Sequence, residues 1–135
     1  VYSYSKDHYF RVFFKCRKGK STVDEVIAKH GMVGKAGKLW LGELWDVELS
    51  KRISRLSNSK VLEIISQEAT VPVAGFFHTH KLAKKYQLNS IPKKSKIIEK
   101  IRNVGYKATE THFAPEGIRS TISEKEFVKI IRLLS

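Results

Sequence analysis

The sequence predicts an α+β fold, and three patterns lead to it. The residues around Phe10 alternate apolar and polar with the period of a half-buried strand. Several stretches, above all "KKSKIIEKIRNVG" and "SEKEFVKIIRLLS", place apolar residues at helical spacing. Near the end, "GYKATETHFAPEGIRST" sets the turn Ala114-Pro115-Glu116-Gly117 between two alternating runs, a hairpin signal.

The elements follow in order. Phe10, Val12, Phe14 and Cys16 alternate with Arg11, Phe13, Lys15 and Arg17 as a strand, which puts Cys16 on the apolar side and in the core. The chain starts at Val1 and passes almost at once into this pattern, as a piece cut from something longer does. "STVDEVIAKHG" predicts a helix capped by Ser21 and Thr22, with Val23, Val26 and Ile27 as its apolar stripe and Gly31 as its stop. Leu39 to Leu41 predict a strand, with Trp40 in the core. Asp46 opens a helix with Leu49, Ile53 and Leu56 inward, and Leu62 and Ile65 belong to another. "VPVAGFF" is strand-like, with Pro72 confined to an edge or to the first residues.

From Thr79 onward the order changes to a helix with Leu82, Ala83 and Tyr86 inward, the break "NSIP", and a basic helix with Ile97, Ile98, Ile101 and Val104 on one face. Gly105 closes that helix in the left-handed conformation and the hairpin follows. Ser123 and Glu126 then form a capping box for a last helix with Phe127, Ile130, Ile131 and Leu134 inward. Helix, break, basic helix and hairpin are the order of a winged helix, a relative of the helix-turn-helix. The predicted architecture is therefore a small, mostly antiparallel sheet packed with helices, residues 1–77, followed by a winged-helix-like C-terminal part, residues 78–135.

Composition narrows the function. The chain has 135 residues, 41% of them hydrophobic, which suffices for a core. Its 26 Lys and Arg against 13 Asp and Glu leave a formal charge of +13, a field that attracts polyanions, nucleic acid first. No apolar stretch approaches a membrane span and the opening residues lack a signal-peptide pattern, so a soluble, cytoplasmic protein without membrane contact is expected. One cysteine excludes an internal disulfide and a Cys-x-x-Cys metal site. His78, His80 and His112 have no neighbouring carboxylate or cysteine in sequence to complete a metal site, and helix capping or exposure accounts for His78 and His80.

The basic helix would offer Lys93, Lys94, Lys96, Lys100 and Arg102 to a phosphate backbone, the plainer reading being a solvated face. The hairpin carries Thr109, Thr111, His112, Arg119 and Thr121. They read either as a polar contact rim or as threonines that simply suit strands. Neither a nucleophile nor an acid–base pair is identifiable, and Gly31, Gly34, Gly37 and Gly42 lack the strand-to-helix setting of a cofactor loop.

Three stretches, "DHYFRVFF", "GKLWLGELWD" and "GYKATETHFAPEGIRST", in this order, resemble the C-terminal domain of the tRNA (guanine-26, N2)-dimethyltransferases. The family's Gly-Pro-Leu-Trp-Leu-Gly-Pro-Leu is matched at Gly37, Leu39, Trp40, Leu41, Gly42 and Leu44, with Lys38 and Glu43 in place of the prolines. Its Ser-Arg-Thr-His, then Pro-x-Gly-Ile-Lys-Thr, is matched at Thr111, His112, Pro115, Gly117 and Ile118, while Arg119 keeps the lysine's charge and Glu110 replaces an arginine. The cysteine-rich insertion of many members is absent, so no metal is carried over. The resemblance implies an intact enzyme that transfers methyl groups from S-adenosylmethionine to a guanine N2 of tRNA with an N-terminal Rossmann-like domain. This chain would be the tRNA-binding part, with no cofactor of its own and no activity alone. On that reading the lysine helix and the hairpin rim meet tRNA, the rim alternatively meeting the catalytic domain. Without the resemblance, the alternative is a free-standing winged-helix DNA-binding protein.

Overall fold

The computed structural model describes residues 2–6, 9–13, 16, 18–32 and 34–135, with side chains described from residue 16 onward. The chain divides into two compact units, Val1–Asp46 and Val47–Ser135. This corrects the expected division after residue 77, which would cut through a strand of the second unit's sheet.

In the first unit, β1 (Tyr2–Lys6) pairs antiparallel with β2 (Tyr9–Phe13), Ser3 opposite Val12. The expected continuation of that strand through Phe14, Lys15 and Arg17 lies outside the described residues, as do the side chains of Phe10 and Val12. Cys16 is exposed rather than buried, and it lies in no strand, so the alternation that pointed it inward does not hold there. Helix α1 (Lys20–Ala28) starts from Gly19, so Ser21 and Thr22 lie inside it and do not cap it. Its stripe of Val23, Val26 and Ile27 is exposed.

Gly31 is part of β3 (His30–Met32), not a helix stop. It faces Leu39 of β4 (Lys38–Trp40), across a connection that includes a single 3-10 turn at Gly34–Ala36. Trp40 is half-buried rather than core: its Nε1 donates to Glu43 O at 3.0 Å, and its ring stands edge-on to His30. Trp45 is the buried tryptophan.

The second unit consists of α2 (Val47–Arg55), α3 (Lys60–Glu68), β5 (Phe77–His78), α4 (Thr79–Tyr86), α5 (Lys94–Asn103), β6 (Ala108–Glu110), β7 (Gly117–Ser120) and α6 (Glu124–Leu134). The strands form one antiparallel sheet in the order β5-β7-β6, with Phe77 opposite Ile118 and Thr109 opposite Arg119. The strand-like reading of "VPVAGFF" survives only in its last residue.

The core lies where the stripes of the last three helices predict it, whereas Leu49 and Leu56, expected to face inward from the helix after Asp46, are exposed, Leu56 lying just beyond the end of α2. Ile97, Ile98 and Ile101 of α5 and Phe127, Ile130 and Ile131 of α6 pack with Ile118 and Ala108 of the sheet and Leu82 of α4. Phe77 stacks on Phe127 with ring centres 4.6 Å apart. Val104 is exposed, since α5 ends at Asn103 and the next residue leaves the inward face. Gly105 adopts φ +91, the left-handed conformation in which a side chain is strained.

The α6 capping box forms as expected. Ser123 Oγ accepts from Glu126 N at 3.3 Å and donates to the Glu126 carboxylate at 2.8 Å. Glu124 accepts from Lys85 Nζ at 2.5 Å and from Tyr86 Oη at 2.6 Å, which ties α4 to the start of α6. Among the described residues, no helix is long and apolar enough to cross a membrane.

Candidate nucleic-acid interface

Strand β7 lies between β5 and β6, and all four of its residues are buried. Alternation on such a strand sorts side chains between two covered faces, not between core and water. Ile118 faces the apolar core. Arg119 and its cross-strand partner Thr109 turn toward the end of α3, where Thr109 Oγ1 donates to Gln67 Oε1 at 3.4 Å.

There Arg119 meets Glu68. Glu68 is fully buried; one carboxylate oxygen accepts from Arg119 Nε at 3.1 Å, and the other accepts from the His112 backbone N–H at 3.2 Å and contacts His112 Nδ1. Arg119 also donates to Val73 O at 2.6 Å. Burial by itself would raise the Glu68 pKa, but hydrogen bonds from His112 and Thr111 and the charges of His112 and Arg119 outweigh it and hold the carboxyl below its ordinary value. His112 Nε2 is buried without a hydrogen-bond partner among the described residues.

The expected polar rim is therefore corrected at Thr109, Thr111, His112 and Arg119. Their side chains are enclosed in the second unit, because a buried carboxylate on α3 draws Arg119 and the His112 ring inward. Thr121 alone of that set is exposed, its Oγ1 accepting from Lys107 N at 3.1 Å. Glu68 itself was missed. The signal was present: a carboxylate three positions after Ile65 stands on the apolar side of its helix and needs a partner.

The clasp has a consequence for acid stability. Glu68 gives up its proton more readily folded than unfolded, so its contribution is complete above about pH 4.3 and is lost as pH falls through the lower folded value. Glu124 and Glu126, held low by bonds from Lys85 and from Ser123, add to the same limb. Melting temperatures measured from pH 6 to pH 3 should fall less for Glu68→Gln than for the unsubstituted chain. Parallel curves would mean that Glu68 titrates alike folded and unfolded.

The five basic residues of the α5 region divide. Lys94 ties the helix start to the hairpin, with Nζ 3.1 Å from the Glu110 carboxylate and 2.8 Å from Pro115 O. Arg102 Nε donates to Ala108 O at 2.9 Å. Lys93 at the N-cap and Lys96 and Lys100 on the helix lie within about one-sixth of a turn of one another, along the edge of the buried stripe that Ile97 begins. None of the three forms a side-chain hydrogen bond or ion pair among the described residues. Among the described residues no three possible metal ligands converge: the His78 and His80 rings are 6.2 Å apart, with His78 Nε2 3.9 Å from Glu116, and His112 is held by Glu68.

A basic helix edge with a hairpin fastened beside it is thus the chief charged feature of the second unit. Comparison with known proteins supplies the family. The family model of N2,N2-dimethylguanosine tRNA methyltransferases matches residues 31–132, and the chain belongs to that family. It is 30% identical to the tRNA (guanine(26)-N(2))-dimethyltransferase of Pyrococcus horikoshii, over 98% of this chain and 42% of that protein. It is 25% identical to the tRNA (guanine(26)-N(2)/guanine(27)-N(2))-dimethyltransferase of Aquifex aeolicus, over 96% of this chain and 41% of that one. The solved structure of Trm1 from Pyrococcus horikoshii in complex with S-adenosyl-L-methionine superposes with a TM-score of 0.81 at 30% identity, covering 96% of this chain and 42% of that one. The chain thus spans about two-fifths of the length of these relatives. The matches do not favour a free-standing DNA-binding protein.

Proposed function

We propose that this chain is the tRNA-holding, C-terminal part of an S-adenosylmethionine-dependent tRNA guanine-N2 methyltransferase. The catalytic site and cofactor belong to an N-terminal Rossmann-like domain outside these 135 residues. Alone, the chain neither binds the cofactor nor transfers a methyl group, and the intact enzyme works on tRNA in the cytoplasm. The observation that carries the reading is the lysine edge of α5: Lys93, Lys96 and Lys100 share one side of a helix whose adjoining face is locked in the core. We read α4, the break, α5 and the β6–β7 hairpin as a winged helix, with β5 as the third strand.

Methylating a base within folded tRNA requires its extrusion, so a second module must hold the backbone while the catalytic domain receives the base. Phosphate contacts suit that task because the deep major groove of A-form RNA is closed to side chains. Lys94 and Arg102 serve mainly to set the helix against the hairpin, leaving the grip to the other three.

Titration of the chain with a tRNA transcript at several salt concentrations tests this. Changing Lys93, Lys96 and Lys100 together to Ala should weaken binding to all RNAs alike and reduce the log–log salt slope by up to about one per lost contact. An unchanged slope would make α5 a solvated surface. Saturable binding of S-adenosylmethionine by the isolated chain would refute the division of labour.

A further inference from the structure

Phe76 and Phe113 remain unexplained by the lysine grip. They lie 37 positions apart in sequence, yet their rings are parallel within 4° with centres 6.2 Å apart, and both are exposed, by 36% and 41%. Single exposed apolar residues are ordinary; two aligned aromatic faces in water are not scatter.

The surroundings hold both rings in place. Phe113 follows His112, whose ring centre is 4.0 Å away, so the Glu68 clasp fixes the backbone that carries it. Phe113 N also donates to Thr111 Oγ1 at 3.3 Å. Phe76 lies against the backbone of Gly117, where an added Cβ would come within 2.9 Å of Phe76 Cδ2 and would collide with Thr111. The parallel setting of the two rings is thus fixed by buried residues before any ligand arrives.

Beside Phe76 opens a cleft of about 300 Å³ lined by Phe76, Phe77, His78, Lys81, Leu82 and Glu124. Its one carboxylate, Glu124, is already engaged by Lys85 and Tyr86, and Lys81 is exposed at its edge. An apolar floor, flat rings and a cationic edge on a chain of charge +13 match an unpaired base with its phosphate, since every base has a π-face and its backbone is anionic.

We propose that Phe76 and Phe113 form a stacking platform for an unpaired nucleobase of the bound RNA, with Lys81 on the adjoining phosphate. This rests on the tRNA-holding reading and adds to it a place where a single-stranded or extruded nucleotide is held. Stacking on aromatic side chains is the usual means by which proteins hold unpaired RNA.

The test compares the chain with its Phe76→Leu, Phe113→Leu double variant, which keeps apolar bulk without the flat face. The probes are a tRNA transcript and a blunt RNA duplex without unpaired bases. For tRNA the double variant should lose affinity by about five-fold to a hundred-fold, the range of one stacked base. Its duplex affinity and salt slope should stay as they were. Tryptophan at both positions should restore tRNA binding.

Equal tRNA affinity in the Leu variant, or no recovery with tryptophan, would overturn the platform and leave these rings to a protein contact. Failure of the unsubstituted chain to bind tRNA would instead remove the reading beneath it, and the platform with it. Should the double variant unfold, Phe113→Leu alone gives the same comparison at the more exposed ring.

Discussion

Replacing Glu68 with Gln should destabilise the chain by about 3–5 kcal/mol, the range for removing one partner of a buried ion pair. The cost arises because Arg119 and His112 stay enclosed after their carboxylate is gone. Glutamine keeps only one acceptor oxygen, so either Arg119 Nε or the His112 backbone N–H loses its acceptor as well. Thermal unfolding followed by circular dichroism measures the effect. Changing Glu68 to Leu and Arg119 to Met together should cost less than the sum of the single changes, since the stranded charge then disappears. A Glu68→Gln chain melting with the unsubstituted protein would refute the clasp.

Phe127→Ala should cost a similar amount, about 3–5 kcal/mol, for another reason. Phe127 is fully buried on α6, stacked on Phe77 of β5 and surrounded by the isoleucines of α5, so truncation leaves a cavity at the junction of sheet and helices. Denaturant unfolding should show a lower midpoint with an unchanged slope, as the surface exposed on unfolding hardly changes. A midpoint shift corresponding to less than about 1 kcal/mol would mean that the neighbours collapse into the space.

The two predictions separate what the sequence discloses from what it does not. Phe127, Ile130 and Ile131 were legible because helical spacing and the Ser123 cap are local, and both survive in the fold. The hairpin was legible in outline for the same reason, since a turn and two alternating runs occupy one short stretch. Its interior polarity was not, because Glu68 is 51 positions from Arg119 and 44 from His112. Local patterns showed polar residues on a hairpin but not the helix lying over them.

Of the candidate interface, Lys93, Lys96 and Lys100 were readable from helical spacing. The engagement of Lys94 and Arg102 by the hairpin depends on packing. The alignment of Phe76 with Phe113 likewise depends on β5 pairing with β7, which no nearby residue announces. Cys16 and Gly31 failed in the opposite sense: a periodicity was carried to a residue that lies in no strand, and a glycine taken for a helix stop belongs to a strand.

Both tryptophans of the chain, Trp40 and Trp45, belong to the unit that ends at Asp46, whereas five of the six α-helices among the described residues lie after that point. Indole emission and the helical ellipticity band therefore originate mainly in different units of one chain. Superimposable melts at the two wavelengths would identify a single cooperative transition, and displaced melts would resolve two. The optical properties of the unsubstituted protein thus supply a measure of cooperativity without an added label.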